Sequence, residues 1–140
     1  MHIGSKILVV EDNYLFAQVI CDFVVDCGME AIGPACGLDT GLVYAREASL
    51  DGAILDINLD GRFSFPICGV LVQRGIPFCF LTGYSDLALV PQQFRSLPLV
   101  SKPFEPKEMR DAIEMMLSGE RGGPLMRAAS STGSAPTTAS

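Results

Sequence analysis

Short runs of apolar residues alternate along this chain with stretches in which apolar positions recur at helical spacing. Ile7-Leu-Val-Val10, behind Lys6, is a compact apolar strand that stops abruptly at Glu11-Asp12. Beyond it the pairs Leu15/Phe16, Val19/Ile20 and Phe23/Val24 return every four residues, which puts them on one helical face. Gly28 supplies the stop, because glycine accepts the left-handed conformation in which helices commonly end. Met29 to Ile32 reads as a second strand and Asp39 to Ala48 as a second helix. Ala53 to Leu55 is a third strand, entering a polar loop from Asp56 to Gly61. A helix over Ile67 to Arg74 ends at Gly75, and Pro77 to Leu81 and Leu97 to Val100 complete the strands. The last helix opens at Pro106 and shows an apolar face of Met109, Ile113, Met116 and Leu117.

Strands alternating with helices are the signature of βαβ units, so the expected fold is α/β with a doubly wound, five-stranded parallel sheet. The segment between Thr82 and the fifth strand is short and contains Pro91, so any helix there is short or irregular. From Gly119 onward, 17 of 22 residues are Gly, Ala, Ser, Thr or Pro, too few apolar side chains to order a segment. The expected organisation is one domain over 1–118 and a disordered tail over 119–140.

Charge and composition then remove whole classes of function. Residues 1–118 hold 15 acids against 8 bases, a balance of −7 that repels a phosphate backbone, so no nucleic-acid partner is expected. No apolar run reaches the ~18 residues of a membrane helix. The four apolar residues before Glu11 are too few for a secretory signal, so a cytoplasmic protein without membrane contact is expected. Five cysteines, mostly beside apolar residues and without a CxxC, read as buried reduced thiols. His2 is the only histidine, which removes histidine-based metal sites and Ser-His-Asp catalysis.

In an open parallel sheet, ligands bind beyond the carboxyl ends of the strands. Here those ends carry Glu11-Asp12, Asp56, Thr82 and Ser101-Lys102, giving three carboxylates, a hydroxyl and an ammonium for one edge. Packed carboxylates repel, so either one holds a proton or a cation joins them. A few hard oxygen ligands with room for water and phosphate suit Mg²⁺. A carboxylate in such a site can act as nucleophile and form an acyl phosphate, with the lysine and hydroxyl steadying the phosphoryl oxygens. Each residue also has a plainer reading: a helix cap at Asp12 or Asn13, a turn at Asp56, a loop at Thr82, a solvated Lys102. Their joint placement at successive strand ends favours the chemistry.

Val9-Val10-Glu11-Asp12-Asn13, Leu55-Asp56-Ile57-Asn58-Leu59, Leu81-Thr82-Gly83 and Ser101-Lys102-Pro103-Phe104 together resemble the receiver domain of two-component response regulators over residues 5–118. The resemblance implies a flavodoxin-like sheet in the order 2-1-3-4-5 and often a cis Lys102–Pro103 bond. It also implies that Asp56 is the phosphoacceptor, that Glu11 and Asp12 organise Mg²⁺ with Asp56, and that Asn58 offers its main-chain carbonyl. Thr82 would be the switch hydroxyl and Lys102 the phosphate-contacting lysine. Pro77-Phe-Cys-Phe-Leu-Thr-Gly83 is similar to the motif of the single-domain receivers nicknamed FAT GUY, a subgroup tied to general stress signalling, with Leu81 in place of alanine.

Two positions depart from the family. Leu99 stands where receivers usually carry the Tyr or Phe of their switch, and a core-filling role explains it; Tyr84, two residues past Thr82, is a candidate modulator of the phosphoryl group. The function implied is a stand-alone response regulator rather than an enzyme. It would be phosphorylated by a sensor histidine kinase or histidine phosphotransfer protein and would switch a downstream protein partner. A phosphate shuttle or sink, and a phosphorylation-independent binding module, are the alternatives. A dehalogenase-like phosphatase needs a second carboxylate where Asn58 stands, and a flavin-binding loop would not carry Glu11-Asp12.

Overall fold

The apolar run at the N-terminus folds as strand β1, Lys6–Val10, with Ile7, Leu8 and Val9 fully buried. The computed structural model describes residues 2–119, without the side chains of Tyr84, Ser85 and Leu87; the expected tail beyond Gly119 lies outside the described residues. Helix α1 follows over Tyr14–Asp26, strand β2 over Glu30–Ala35, helix α2 over Leu38–Glu47 and strand β3 over Gly52–Asp56. A small pair, β4 (Asn58–Leu59) and β5 (Arg62–Phe63), precedes helix α3 at Phe65–Arg74. Strand β6 (Phe78–Thr82), strand β7 (Leu99–Ser101) and helix α4 (Pro106–Leu117) complete the order. The main sheet runs β2-β1-β3-β6-β7, which is 2-1-3-4-5 for its members taken in chain order. This is the doubly wound, flavodoxin-like arrangement, and none of the described helices is long and apolar enough to cross a membrane.

The chain groups into two compact units, one over Met1–Phe78 and one beginning at Cys79. In the first, α1 buries Ala17, Ile20, Cys21 and Val24, while Leu15 and Val19 are exposed. The apolar pairs of the sequence therefore split: Leu15 and Val19 face water, Ile20 and Val24 turn inward, and Phe16 and Phe23 are half-buried between. Asn13 caps the helix, its side-chain oxygen accepting from the Phe16 N–H at 3.0 Å, and Gly28 with φ +87° ends it. α2 and α3 approach closely at Gly41, where a Cβ would stand 2.6 Å from Ile67 Cδ1. The Arg74 guanidinium ties their far ends, donating to the carbonyls of Ala45 (2.6 Å) and Ala48 (2.9 Å).

Two corrections to the sequence reading come from turns. Strand β2 continues past Ile32 through Gly33-Pro34, because it is an edge strand and its outer side needs no proline N–H. The Asp56–Gly61 loop is instead the start of a hairpin: Asn58 pairs with Phe63 and Leu59 with Arg62 around Asp60-Gly61. Positive φ at both Asp60 (55°) and Gly61 (89°) is what a type I′ turn requires, and an Asp-Gly dipeptide is its usual signal.

In the second unit, Cys79, Phe80 and Leu81 fill the core, and Phe80 meets Phe94 edge-to-face with centroids 6.2 Å apart. The expected irregular segment after Thr82 is two 3-10 stretches, Tyr84–Leu89 and Gln92–Phe94. α4 buries Met109, Ala112, Ile113 and Met116.

All five cysteines are free thiols: Cys21, Cys68 and Cys79 are buried, Cys27 is half-buried and Cys36 is exposed, the last correcting the reading of buried thiols throughout. Burial pushes the Cys79 thiol up to about 12 and the Cys68 thiol higher still. Above the ordinary thiol range, the folded chain thus keeps protons that the unfolded chain releases, so stability falls as pH rises. Between pH 8 and pH 10 the loss is expected to be roughly 1 kcal/mol per buried thiol. Urea midpoints of wild type and Cys79→Ala at the two pH values check this, the variant showing the shallower decline.

Candidate functional site

Parallel pairing brings the first three acidic residues together. Val10 of β1 lies opposite Ala35 of β2 and Leu55 of β3, so Glu11 and Asp56, each one step beyond, leave their strands at the same level. The Glu11 N–H donates to the Ala35 carbonyl at 3.0 Å, which fixes this turn of chain against β2. One carboxylate oxygen from each of Glu11, Asp12 and Asp56 lies within 4.8 Å of the others. Glu11 and Asp56 are 1% and 4% exposed, and Asp12 is half-buried.

Local hydrogen bonding assigns the neighbouring polar groups. Glu11 Oε2 accepts from the Asn13 N–H at 3.1 Å, and Asn13 rather than Asp12 caps α1. Asp12 is therefore left to the acidic cluster. At the distance between these carboxylates, each ionised pair repels by roughly 3–4 kcal/mol at an effective dielectric of ~20. A small, buried set of hard oxygen donors is what a divalent cation of the Mg²⁺ type takes, with its remaining positions open to water or phosphate. The donor set fits that ion.

Asn58 sits two residues past Asp56, and its side-chain oxygen accepts from the Gly61 N–H at 2.7 Å. Its carboxamide thus belongs to the hairpin turn, and no carboxylate stands at this position to serve as an acid/base partner. The turn residues Asp60 and Gly61 were absent from the site expected from sequence, although the Asp-Gly dipeptide announced the hairpin.

Thr82 and Lys102 lie in the second unit. Thr82 ends β6, is 1% exposed, and pairs with Ser101 of β7. Its carbonyl accepts from the Lys102 N–H at 3.0 Å and its hydroxyl donates to the Gly83 carbonyl at 3.2 Å. Lys102 is half-buried and its bond to Pro103 is cis. Leu99 does not fill the core: it is 39% exposed, while the next residue, Val100, takes the buried side of β7. Tyr84 opens a 3-10 stretch, and its side chain lies outside the described residues.

No family model matches the chain. It is 29% identical over 117 residues to the phyllosphere-induced regulator PhyR of Methylorubrum extorquens, covering 81% of this chain and 44% of that protein. It is 25% identical over 118 residues to sporulation initiation phosphotransferase F of Bacillus subtilis, covering 81% of this chain and 94% of that one. The chain spans only about half the length of two of the curated relatives it matches. Among solved structures, SdrG from Sphingomonas melonis Fr1 superimposes with a TM-score of 0.74 at 35% identity, covering 84% of this chain and 99% of that one. The same fold is found at a TM-score of 0.69 and 34% identity in the BeF3-activated conformation of SdrG.

Proposed function

Because this chain belongs to the receiver family of response regulators, we propose that it accepts a phosphoryl group on Asp56 and changes its affinity for a partner protein when it does. The observation that carries the reading is the joining of Glu11, Asp12 and Asp56 at the ends of β1 and β3. When bound, Mg²⁺ would neutralise charge on the incoming phosphoryl oxygens. The ionised Asp56 carboxylate already carries the lone pair that attacks phosphorus, so the absence of a nearby histidine costs nothing. The new bond is an acyl phosphate; the bond from phosphorus to the donor's imidazole nitrogen, or to the acyl oxygen of a small donor, breaks. Glu11 and Asp12 would hold the cation with Asp56 and the Asn58 carbonyl. Thr82 and Lys102, at the carboxyl ends of β6 and β7, are assigned as the hydroxyl and ammonium that contact the phosphoryl oxygens. Tyr84 and Leu99 are assigned as modulators of the switch.

The donor class is a sensor histidine kinase or a histidine phosphotransfer protein, reached in the cytoplasm, and the role is regulatory rather than enzymatic. Likeness to PhyR and SdrG, with the Pro77–Gly83 motif, favours stress signalling as the output. A shuttle role is the second reading, favoured by the match to sporulation initiation phosphotransferase F over 94% of its length.

Incubation with acetyl phosphate followed by intact-mass spectrometry tests the reading. With Mg²⁺ the chain is expected to gain one phosphoryl group, labile in mild base, and with EDTA none. Equal gain in both would sink the cation-assisted chemistry. No gain in either, and none from a phosphorylated histidine kinase, would make the protein a phosphorylation-independent binding module.

A further inference from the structure

Helix α3 turns an uncharged face to solvent. Between Gly61 and Phe78 the only charged residues are Arg62 and Arg74, although the whole chain holds 16 acids against 10 bases. Ile67, Cys68 and Leu71 take the buried side of the helix. Phe65, Gly69 and Val72, spaced i, i+4 and i+7, share the other side. Val72 is 59% exposed, Gly69 is exposed and Phe65 is half-buried. Phe63 of the hairpin, itself partly exposed, stacks on Phe65 with ring centroids 5.7 Å apart, so the apolar strip continues past the start of the helix.

Glycine weakens a helix relative to alanine, so one inside a helix calls for a reason. For Gly41 the reason is internal, since Ile67 already occupies the space of a Cβ. Gly69 has no such reason: a Cβ there would meet nothing within 4 Å. It leaves a hollow between Phe65 and Val72, of the kind that receives a side chain from a facing helix. An arginine stands at each end of the strip. Arg74 donates to two carbonyls, which leave its charge uncancelled. Arg62 meets Asp39 at 3.5 Å between exposed side chains, a weak pair that an incoming carboxylate can exchange. A second copy of the chain is a poor occupant. A two-fold interface sets one surface against itself, so arginine meets arginine whether the two α3 helices run parallel or antiparallel.

We propose that the outward strip of α3 docks an amphipathic helix of a partner protein, whose apolar stripe covers Phe63, Phe65 and Val72, fills the hollow at Gly69, and is flanked at both ends by acidic residues. With ten residues α3 is about 15 Å long, which three apolar positions at i, i+4 and i+7 of the partner helix match. This docking goes beyond the phosphoryl chemistry and does not depend on it.

Amide resonances of the isotope-labelled full chain test the proposal. The probe is a stapled helical peptide with leucines at that spacing and glutamates at both ends, set beside the same peptide with lysines at its ends. The glutamate-ended peptide should shift the amides of residues 62–74, and the lysine-ended one should bind about tenfold more weakly. Gly69→Gln fills the hollow without strain, so it should melt no lower than wild type yet bind the glutamate-ended peptide about tenfold more weakly. Arg62→Glu, at an exposed position, should bring the two peptides level. Equal binding of both peptides to wild type overturns the proposal, as does unchanged binding by Gly69→Gln. No shift at millimolar peptide, or shifts confined to α1 around Leu15 and Val19, overturns it too. Sedimentation equilibrium covers the remaining occupant: a dimer that Gly69→Gln dissolves would assign the strip to a second copy and refute the partner helix.

Discussion

An Asp56→Asn chain is expected to take up no phosphoryl group from acetyl phosphate under conditions in which the wild type is modified. The carboxamide is close in size to the carboxylate, so the buried position is filled, but its oxygen carries no full charge and forms no stable acyl phosphate. The replacement removes one of three mutually repelling carboxylates within 4.8 Å, so Mg²⁺ affinity should fall together with acceptor activity. Intact-mass spectrometry and Mg²⁺ titration of one variant thus report on nucleophile and ligand separately. Modification of the variant at the wild-type rate would place the acceptor elsewhere and end the reading of Asp56.

Truncation of Phe80 to alanine is expected to cost about 3–5 kcal/mol of folding stability. The ring is fully buried in β6 and packs edge-to-face on Phe94, so the variant leaves a cavity and also forfeits an aromatic pair worth ~1 kcal/mol beyond its burial. Against a total stability of roughly 5–15 kcal/mol, that loss is a large fraction of the whole. Urea denaturation followed by far-ultraviolet circular dichroism measures it. Phe63→Ala is the control: this ring is 39% exposed on the hairpin and stacks on Phe65 at 5.7 Å, so its loss should be much smaller. Equal losses for the two would contradict the placement of the core.

The order of strands and helices was legible because each strand is a short apolar run and each helix carries an apolar stripe, as at Ile7–Val10 and at Met109, Ile113 and Met116. The acidic site was legible for a related reason: in a parallel sheet, charged residues directly after apolar runs share an edge, and Glu11, Asp12 and Asp56 do so. What the pattern could not resolve was direction within a pair. Leu15/Phe16 and Val19/Ile20 read as one apolar face, yet only burial by neighbouring strands decides which member turns inward. Leu99 looked like core for the same reason, and strand alternation gave that place to Val100. The second strand was read only as far as Ile32, yet β2 runs on through Gly33-Pro34 to Ala35, which an edge strand allows. Asp60-Gly61 was read for its polarity rather than for its backbone, and so the hairpin was missed.

The position of Gly33-Pro34 on an edge strand also bears on how copies of this chain treat one another. A bare sheet edge is a template on which a second molecule can add a strand, the first step toward fibrous aggregates. On β2, Pro34 offers no N–H, the register breaks between Leu8 and Val10, and Glu30 places an exposed charge near the start of the edge. That side of the sheet is a poor template, so the Gly33-Pro34 interruption guards it against propagation.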